Sequence, residues 1–455
     1  MFGRTRVLLA AIVLVAALVR VGFLLADPHP YADSGLAADN AEMARQIDDH
    51  GRWFTQNLTA LTLLGNLQND EHRLIDPASV DFRAADAHPQ LQPQVLQPVG
   101  EAVVLAAVWK VTGEHWLPYQ LLMIVIDSAM ALVVFYIGRA LFGRRRTALL
   151  GALLYAVFPP IAWLTTIPHS DMWAVDFTLV ITALLLRARA RPGWLNWGLA
   201  GVAIGLGSFF RPGVLLIAPL VALAMFSRAR WRQVLGLAAV PTLVAVLLLV
   251  PWTIRNANVF HRFIPVRIGS GQALWEGLGE LHNNFGAVLD DAATYRQVHA
   301  IHPNLVYGTP AYDSLLFVWG RHAVHEHPGF YVRLVGWRLV ESTALLQNTD
   351  WAGGPLPKVL EPLLFVISLL TILLTRRRYG RAHLFLLAVV VATLLPYLFL
   401  HYEARYMLPA SFAYLVWTAL AVDVLIERVR SGASLRSPPH VRNLRDPRHV
   451  ADVRR

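Results

Sequence analysis

Pro251-Trp252-Thr253-Ile254-Arg255-Asn256-Ala257-Asn258-Val259-Phe260 follows the apolar run 233–250 and opens the longest polar stretch in the second half of the chain. An uninterrupted apolar run of that length is suited to cross a bilayer. The decapeptide therefore stands where a helix leaves the membrane. Proline and tryptophan favour that boundary, and arginine can reach from it into water. An arginine followed by asparagine at this depth is also costly unless it meets a partner or an anionic ligand. Arg255 and Asn256 are for that reason candidate site residues.

Outward from this boundary the chain is apolar in both directions. Of its 455 residues 56% are hydrophobic and 15% charged, which excludes an ordinary water-soluble domain. The formal net charge of +10 is gathered in short arginine clusters between apolar runs. That is the layout of a positive-inside membrane protein, and no nucleic-acid partner is expected. The chain has no cysteine, so disulfides, thiolate metal sites and a cysteine nucleophile are excluded.

The arginine clusters set the topology by parity. Spans are predicted at 7–26, 116–142, 147–167, 172–186, 194–210, 213–226, 233–250, 359–375, 382–400 and 407–426. The first is read as an uncleaved span. The stretch 98–112 is short for a span and contains Glu101 and Lys110; lying on the outer surface, it leaves Arg144-Arg145-Arg146 on the cytoplasmic side. The expectation is an all-α polytopic protein of the inner (plasma) membrane. It has about ten transmembrane helices, both termini cytoplasmic, and amphipathic juxtamembrane helices at about 34–50 and 98–112.

Four parts follow from this reading. Residues 1–252 form an N-terminal transmembrane module, and 253–357 a small extracytoplasmic loop domain whose core would be Trp275, Phe317, Trp319, Phe330, Tyr331 and Trp337. Residues 358–427 form the C-terminal transmembrane helices. Residues 428–455 form a basic cytoplasmic tail with the composition of a disordered segment.

With that topology several polar motifs share the outer face. Ser34 can cap a helix on which Leu36, Met43, Ala44 and Ile47 recur at helical spacing, which puts Asp33 at a helix start just above the bilayer. His169-Ser170-Asp171 lies between the third and fourth spans, where Asp171 is either a helix cap or a site acid. Arg211 separates two unusually short apolar segments and sits below the outer surface, where a buried arginine calls for an anion. His401-Tyr402-Glu403-Ala404-Arg405-Tyr406 follows the ninth span, and Glu403 and Arg405 either pair with each other or serve a ligand. Together these acids and arginines suit a lipid phosphate and a nucleophile that needs a base. No tight metal-ligand spacing occurs and no cofactor is expected, although the outer acids leave a divalent metal open.

In order and spacing these motifs resemble the GT-C superfamily of integral-membrane glycosyltransferases that use polyprenyl-phosphate sugars. The branch is that of the protein O-mannosyltransferases and the lipid A aminoarabinose transferase. The resemblance is carried by an acid ahead of Ala44-Arg45 and Gly51, a proline-started surface helix ending in Gly113, and the turn Gly138 to Arg144. It continues through Ser170-Asp171, Gly205-Leu206 to Arg211-Pro212, Pro251-Trp252 to Arg255-Asn256, Phe263-Ile264-Pro265 with Gly271, and Arg405-Tyr406 to Pro409.

The resemblance implies the GT-C fold and an inverting sugar transfer on the periplasmic, extracytoplasmic face. It implies a polyprenyl-phosphate-linked donor, surrounding membrane lipids, and an acceptor that is a protein, lipid or glycan. Asp33 would be the base or orient the acceptor, and Asp171 would line the same cavity. Arg255, Arg211 and Arg405 would hold the donor phosphate, supported by His169, Asn256, Glu403, Tyr406 and Gln97. Two departures stand out. Asp33 is farther from Ala44 than the family acid is, so Asp39 is an equal candidate for the base. Gln97-Pro98, with His88-Pro89 upstream, stands where relatives carry Lys-Pro-Pro or His-Pro-Pro. Two rival readings are a transporter or flippase for a lipid-linked glycan, and an oligosaccharide ligase or polymerase using a pyrophosphate lipid.

Overall fold

The computed structural model describes residues 2–27, 34–227, 231–344 and 356–431. Asp33 lies outside the described residues, as does the tail beyond residue 431. The chain opens with α1 (Phe2–Ala26), α2 (Ser34–Asp48), β1 (Thr55–Asn57), α3 (Leu58–Glu71), α4 (Arg83–Ala87), β2 (Leu91–Pro93) and α5 (Gly100–Thr112). It continues with α6 (Trp116–Phe142), α7 (Arg145–Ala156), α8 (Pro159–Leu164), α9 (Ser170–Ala190), α10 (Trp194–Ser208) and α11 (Ile217–Ala224). Then come α12 (Trp231–Phe260), α13 (Ser270–Leu278), α14 (Asp291–Ile301), α15 (Pro310–Glu326), α16 (Pro328–Ala344), α17 (Leu356–Phe399) and α18 (Leu408–Ser431).

Among the described residues the protein is helical apart from one antiparallel ribbon, in which Thr55 faces Pro93 and Asn57 faces Leu91. By length and composition α1, α6, α12, α17 and α18 can cross a membrane. α17 loses helical geometry at Tyr379 (φ −122°, ψ 20°), within the arginine cluster. The Thr375 hydroxyl lies 2.8 Å from His383 Nε2 across that break. Eight residues along an unbroken helix would separate them by about 12 Å, so the chain turns back there.

Close helix approach sets the bundle. α10 packs on α9 and α12, α18 on α7, α9 and α17, and α1 on α6 and α7. Gly201 and Gly205 of α10 let α12 come near: a Cβ on Gly201 would stand 2.6 Å from Val244 Cβ, and one on Gly205 2.8 Å from Leu248 Cδ1. Small residues four apart allow such contact where the hydrophobic effect gives little help.

Three expectations need correction. The helix holding the opening motif does not end at Pro251; α12 carries Pro241 and Pro251 internally and runs to Phe260. The returning chain fastens that last turn. Trp252 Nε1 donates to the Val266 carbonyl (2.6 Å), Asn256 Nδ2 to that of Ile264 (3.0 Å), and the Thr253 hydroxyl to those of Leu249 (2.9 Å) and Pro265 (3.1 Å). Second, α2 is not an amphipathic helix with one face in water. Ala37, Ala38, Ala41, Met43 and Ala44 are buried, and so are Asn40, Glu42, Arg45 and Gln46. The segment after α2 folds over its polar side, where Arg45 pairs with Glu42 (3.0 Å) and Asp86 (2.7 Å). Third, Phe317 is exposed. The apolar cluster of α13 to α16 instead centres on Trp275, Leu278, Tyr312, Leu316 and Leu334, with Trp319, Phe330, Tyr331 and Trp337 packed against it.

The main core contains a polar knot that hydropathy hides. Arg20 on α1 pairs through Nε with Asp127 on α6, and both are fully buried. Asp127 also accepts from the hydroxyls of Tyr155 and Thr165, while Arg20 donates to the carbonyls of Ala16 and Ala156, each at 3.0 Å. Breaking a buried pair on one side strands the other charge, at roughly 3–5 kcal/mol. Asp127→Ala is therefore expected to lower the unfolding temperature in detergent sharply. The double replacement Arg20→Met/Asp127→Leu should recover most of the loss. Equal losses in the single and double variants would refute this account.

Candidate functional site

The site grows from three helix ends that meet at one level. α9 begins at Ser170 and is capped by His169, whose Nδ1 accepts the Asp171 backbone N–H at 3.1 Å. α10 ends at Ser208, and two residues past its C-cap stands Arg211, in extended conformation ahead of Pro212. α17 ends at Phe399, and a short turn carries His401, Glu403 and Arg405 into α18. The sequence places the first two pieces 40 residues apart and the third nearly two hundred beyond them, and the fold joins them through charge.

Asp171 is the fully buried centre. It is ion-paired with Arg211, and Arg405 Nε stands 3.4 Å from its other oxygen. Arg211 Nε donates to the Tyr397 hydroxyl at 2.5 Å, and its guanidinium lies over the rings of Tyr406 (4.3 Å) and Tyr397 (5.1 Å). Stacking on aromatic faces leaves its edges directed and reduces its need for water. Arg405 also pairs with Glu403 at 2.8 Å. The two readings of Asp171, cap and site acid, thus resolve: the cap belongs to His169. Likewise Arg405 serves both Glu403 and Asp171.

His169 is neutral. Burial first, then the charges of Arg405 and Arg211, hold its pKa well below the usual imidazole range. Because Nδ1 accepts a backbone N–H, the ring proton is assigned to Nε2, which has no partner among the described residues. His401 is the opposite case. Burial opposes its charge, yet hydrogen bonds to Glu280 (2.7 Å) and Glu403 (3.0 Å) raise its pKa to about 9. Burial also works against Glu403, but His401, Arg405 and the Tyr406 hydroxyl bring it down to about 2. Glu280 in turn takes Arg338 Nε at 2.7 Å and the Tyr402 N–H at 2.8 Å. A continuous chain of ion pairs therefore runs from α16 to α9.

Sequence reasoning missed Arg267. It follows the fastened turn of α12, and Ile268 N–H beside it donates to the Val95 carbonyl at 3.0 Å. Its side chain is open to solvent, and its Nε donates to the Ile268 carbonyl at 3.0 Å. No ion pair with a described carboxylate is formed. Arg211, Arg405, His401 and Arg338 are thus gathered around Asp171, Glu403 and Glu280, and Arg267 feels the charges of Arg211 and Asp313. The sequence signal was modest: a lone arginine four residues past Phe263 in a stretch without acids.

The other predicted residues lie elsewhere. Arg255 donates to the carbonyls of Gln94 and Phe54, each at 2.9 Å, and to Asn256 Oδ1 at 3.0 Å. It lies over the rings of Trp252, Phe54 and Phe260. No contact among the described residues joins it to Asp171, Arg211 or Arg405. Asn256 is buried and holds the returning chain. Asp39 accepts from Gln56 Nε2 at 3.1 Å; Gln94 Nε2 donates to Gln56 Oε1 at 2.6 Å, and Gln94 Oε1 accepts the Gln97 N–H at 3.3 Å. Asp39 also adds to the field that raises the Tyr307 pKa, behind burial and Asp291. Glu276 is a second missed group. Burial and neighbouring Asp291 raise it to about 9, so it is a neutral acid at pH 7. Among the described residues no cluster of three or more His, Asp or Glu could hold a metal ion.

Residues 96–254 match the family described as dolichyl-phosphate-mannose-protein mannosyltransferase. The fold is also that of the archaeal oligosaccharyltransferase of Archaeoglobus fulgidus, solved with an inhibitory peptide and a dolichol-phosphate. That match has a TM-score of 0.54 at 14% identity, over 94% of this chain and 52% of that one. The chain thus has the fold of that oligosaccharyltransferase, and its segment 96–254 is similar to the mannosyltransferase family. A segment of 179 residues, 37% of this chain, is 34% identical to the undecaprenyl phosphate-alpha-4-amino-4-deoxy-L-arabinose arabinosyl transferase of Pseudomonas aeruginosa (strain LESB58). The enzyme of the same name from Pectobacterium atrosepticum is 31% identical over 151 residues, 30% of this chain. The matches cover only 32% and 27% of those two proteins, so the chain spans about a third of the length of the curated relatives it matches.

The linkage sign for His401 follows from its raised pKa. Its stabilising contribution is complete below about 6.5 and disappears as pH rises through about 9. That of Glu403 is complete above about 4.5 and disappears as pH falls through about 2. Unfolding temperature in detergent should therefore decline between pH 7 and 9.5 in the wild type, and His401→Gln should lack that component. Arg267→Gln, which breaks no ion pair, should leave the unfolding temperature at pH 7 unchanged; a marked drop would mean that the side chain is structural.

Proposed function

We propose that this chain is an inverting glycosyltransferase that moves a sugar from a polyprenyl-phosphate donor to an O–H or N–H acceptor on the extracytoplasmic face of the inner membrane. The observation that carries the reading is the convergence of Arg211 and Arg405 on the buried Asp171, with Arg267 within the field of Arg211, at a level where three helices end. An anion is the natural complement of such a site, and arginine forks suit a phosphate. The similarity to transferases named for undecaprenyl phosphate sugars supports the choice of donor.

In this reading the chain crosses the membrane about ten times. α13 to α16 form a small extracytoplasmic domain over the site and shape its acceptor side. Arg211, Arg405 and Arg267 receive the donor phosphate. Asp171, bound by two guanidiniums, is a poor base; it holds both arginines in place. The base is Asp33 or Asp39, ahead of or on α2. It takes the acceptor proton as the acceptor atom bonds to the anomeric carbon from the face opposite the phosphate. The bond from that carbon to the phosphate oxygen breaks, its electron pair leaves with the oxygen, and the arginines balance the new charge. Arg255 keeps the ends of α12 and the 54–94 segment in register, and so acts through position.

The test is turnover of a purified chain in detergent with a defined polyprenyl-phosphate sugar. Arg211→Gln is expected to cut kcat by about 10²–10³, the usual scale for one lost oxyanion donor. One of Asp33→Asn and Asp39→Asn should lose about 10²–10⁴ while the other stays near wild type, which identifies the base. Wild-type rates in both would remove the base assignment. A wild-type chain that leaves the donor intact with every acceptor class would overturn the function.

A further inference from the structure

The other end of the same helices encloses a second cationic space. α9 starts beside the Asp171 cluster and ends at Ala190, about 30 Å away along its axis. Arg189 in its last turn lines a cavity of about 770 Å³. α10 and α17 also connect the two ends: Trp197 lines the cavity and Arg211 the site, and Arg381 lines the cavity while Tyr397 meets Arg211. The break in α17 at Tyr379 adds Arg376, Arg377 and Arg378 to the wall. Among the described residues no carboxylate lines this cavity.

The carboxylates of α18 at this end are engaged elsewhere. Asp423 pairs with Arg144 (2.6 Å) and Arg146 (3.4 Å), and Glu427 with Arg144 (2.8 Å). Arg376, Arg377, Arg378 and Arg381 form no ion pair with any described carboxylate. Arginines on a flat cytoplasmic surface need only water, and this is their ordinary state. These differ in bounding a concave space whose remaining walls include Leu141, Leu186, Leu237 and Phe226. Four guanidiniums beside an apolar wall between membrane helices match a ligand with a phosphate at one end and hydrocarbon at the other.

We propose that this cavity binds the headgroup of an anionic phospholipid from the arginine-rich leaflet, with an acyl chain along the apolar wall. The site is separate from the Asp171 cluster and does not rest on the proposed transferase activity. Its effect is to occupy the gap between α6, α9, α12 and the α17 break, and so to stabilise the bundle where that helix turns back.

The experiment uses the full chain, delipidated in detergent, and dioleoylphosphatidylglycerol as the probe. Dioleoylphosphatidylcholine and inorganic phosphate are run in parallel. Lipid retention is read by native mass spectrometry, together with the unfolding temperature. Retention and stabilisation are expected with the anionic lipid alone, with apparent affinity on the order of tenfold lower in Arg377→Gln/Arg381→Gln. Ala140→Trp, which narrows the cavity without removing charge, should weaken retention as well and guards against misfolding of the charge variant. Arg4→Gln/Arg430→Gln removes as much charge from exposed positions outside the cavity and should bind normally. Equal loss in that control, equal retention of phosphatidylcholine, or stabilisation by inorganic phosphate without retained lipid would each overturn the proposal.

Discussion

A fully buried carboxylate held between two guanidiniums is the constraint that organises this protein. Asp171 cannot be desolvated alone, and neither Arg211 nor Arg405 could stand so near the other without it. Satisfying all three fixes where α9 starts, where the chain leaves α10, and how the turn between α17 and α18 is shaped. Packing then follows: the rings of Tyr397 and Tyr406 lie 4.4 Å apart beside Arg211.

The ion-pair chain extends this constraint as far as α16. Arg338 on α16 meets Glu280, Glu280 meets His401, and His401 meets Glu403, which returns to Arg405. Arg338 and Glu280 are both buried, so neither end can shift without exposing or stranding a charge. α13 to α16 are thereby tied to α17 and α18 by charge, while their own apolar cluster remains distinct. A change felt by α16 thus has a physical route to the arginines.

Much of the fold was legible because the bilayer makes hydropathy decisive. Arginine clusters and apolar runs located the long helices, including the break at Tyr379 inside one continuous assignment. What hydropathy averages away was lost. Arg20 and Asp127 each sit singly inside an apolar run, and only their meeting across α1 and α6 explains them. The polar side of α2 looked solvated because the segment covering it, 55–95, has no periodic signature of its own. At the site, sequence singled out Asp171, Arg211, Glu403, Arg405 and Tyr406, which the fold brings together, because each interrupts or ends an apolar run. It gave no sign that Arg255 stands apart from them, because backbone-carbonyl partners leave no mark in a sequence, and it passed over Arg267, Glu276 and Glu280, whose partners are fixed by tertiary contact alone. Asp33 and Asp39 differ by six positions and by nothing that composition can weigh.

In the proposed reaction Asp171 has a consequence for the end of the cycle. A phosphodiester donor carries a single negative charge, but the lipid monophosphate left after sugar transfer can carry two. A pocket of bare arginines would grip that by-product harder than the incoming donor and would stall. An internal carboxylate already seated on the same guanidiniums competes for them at every stage and is ready to reclaim them once the phosphate departs. The buried acid thus makes the pocket attractive enough to fill and still able to empty.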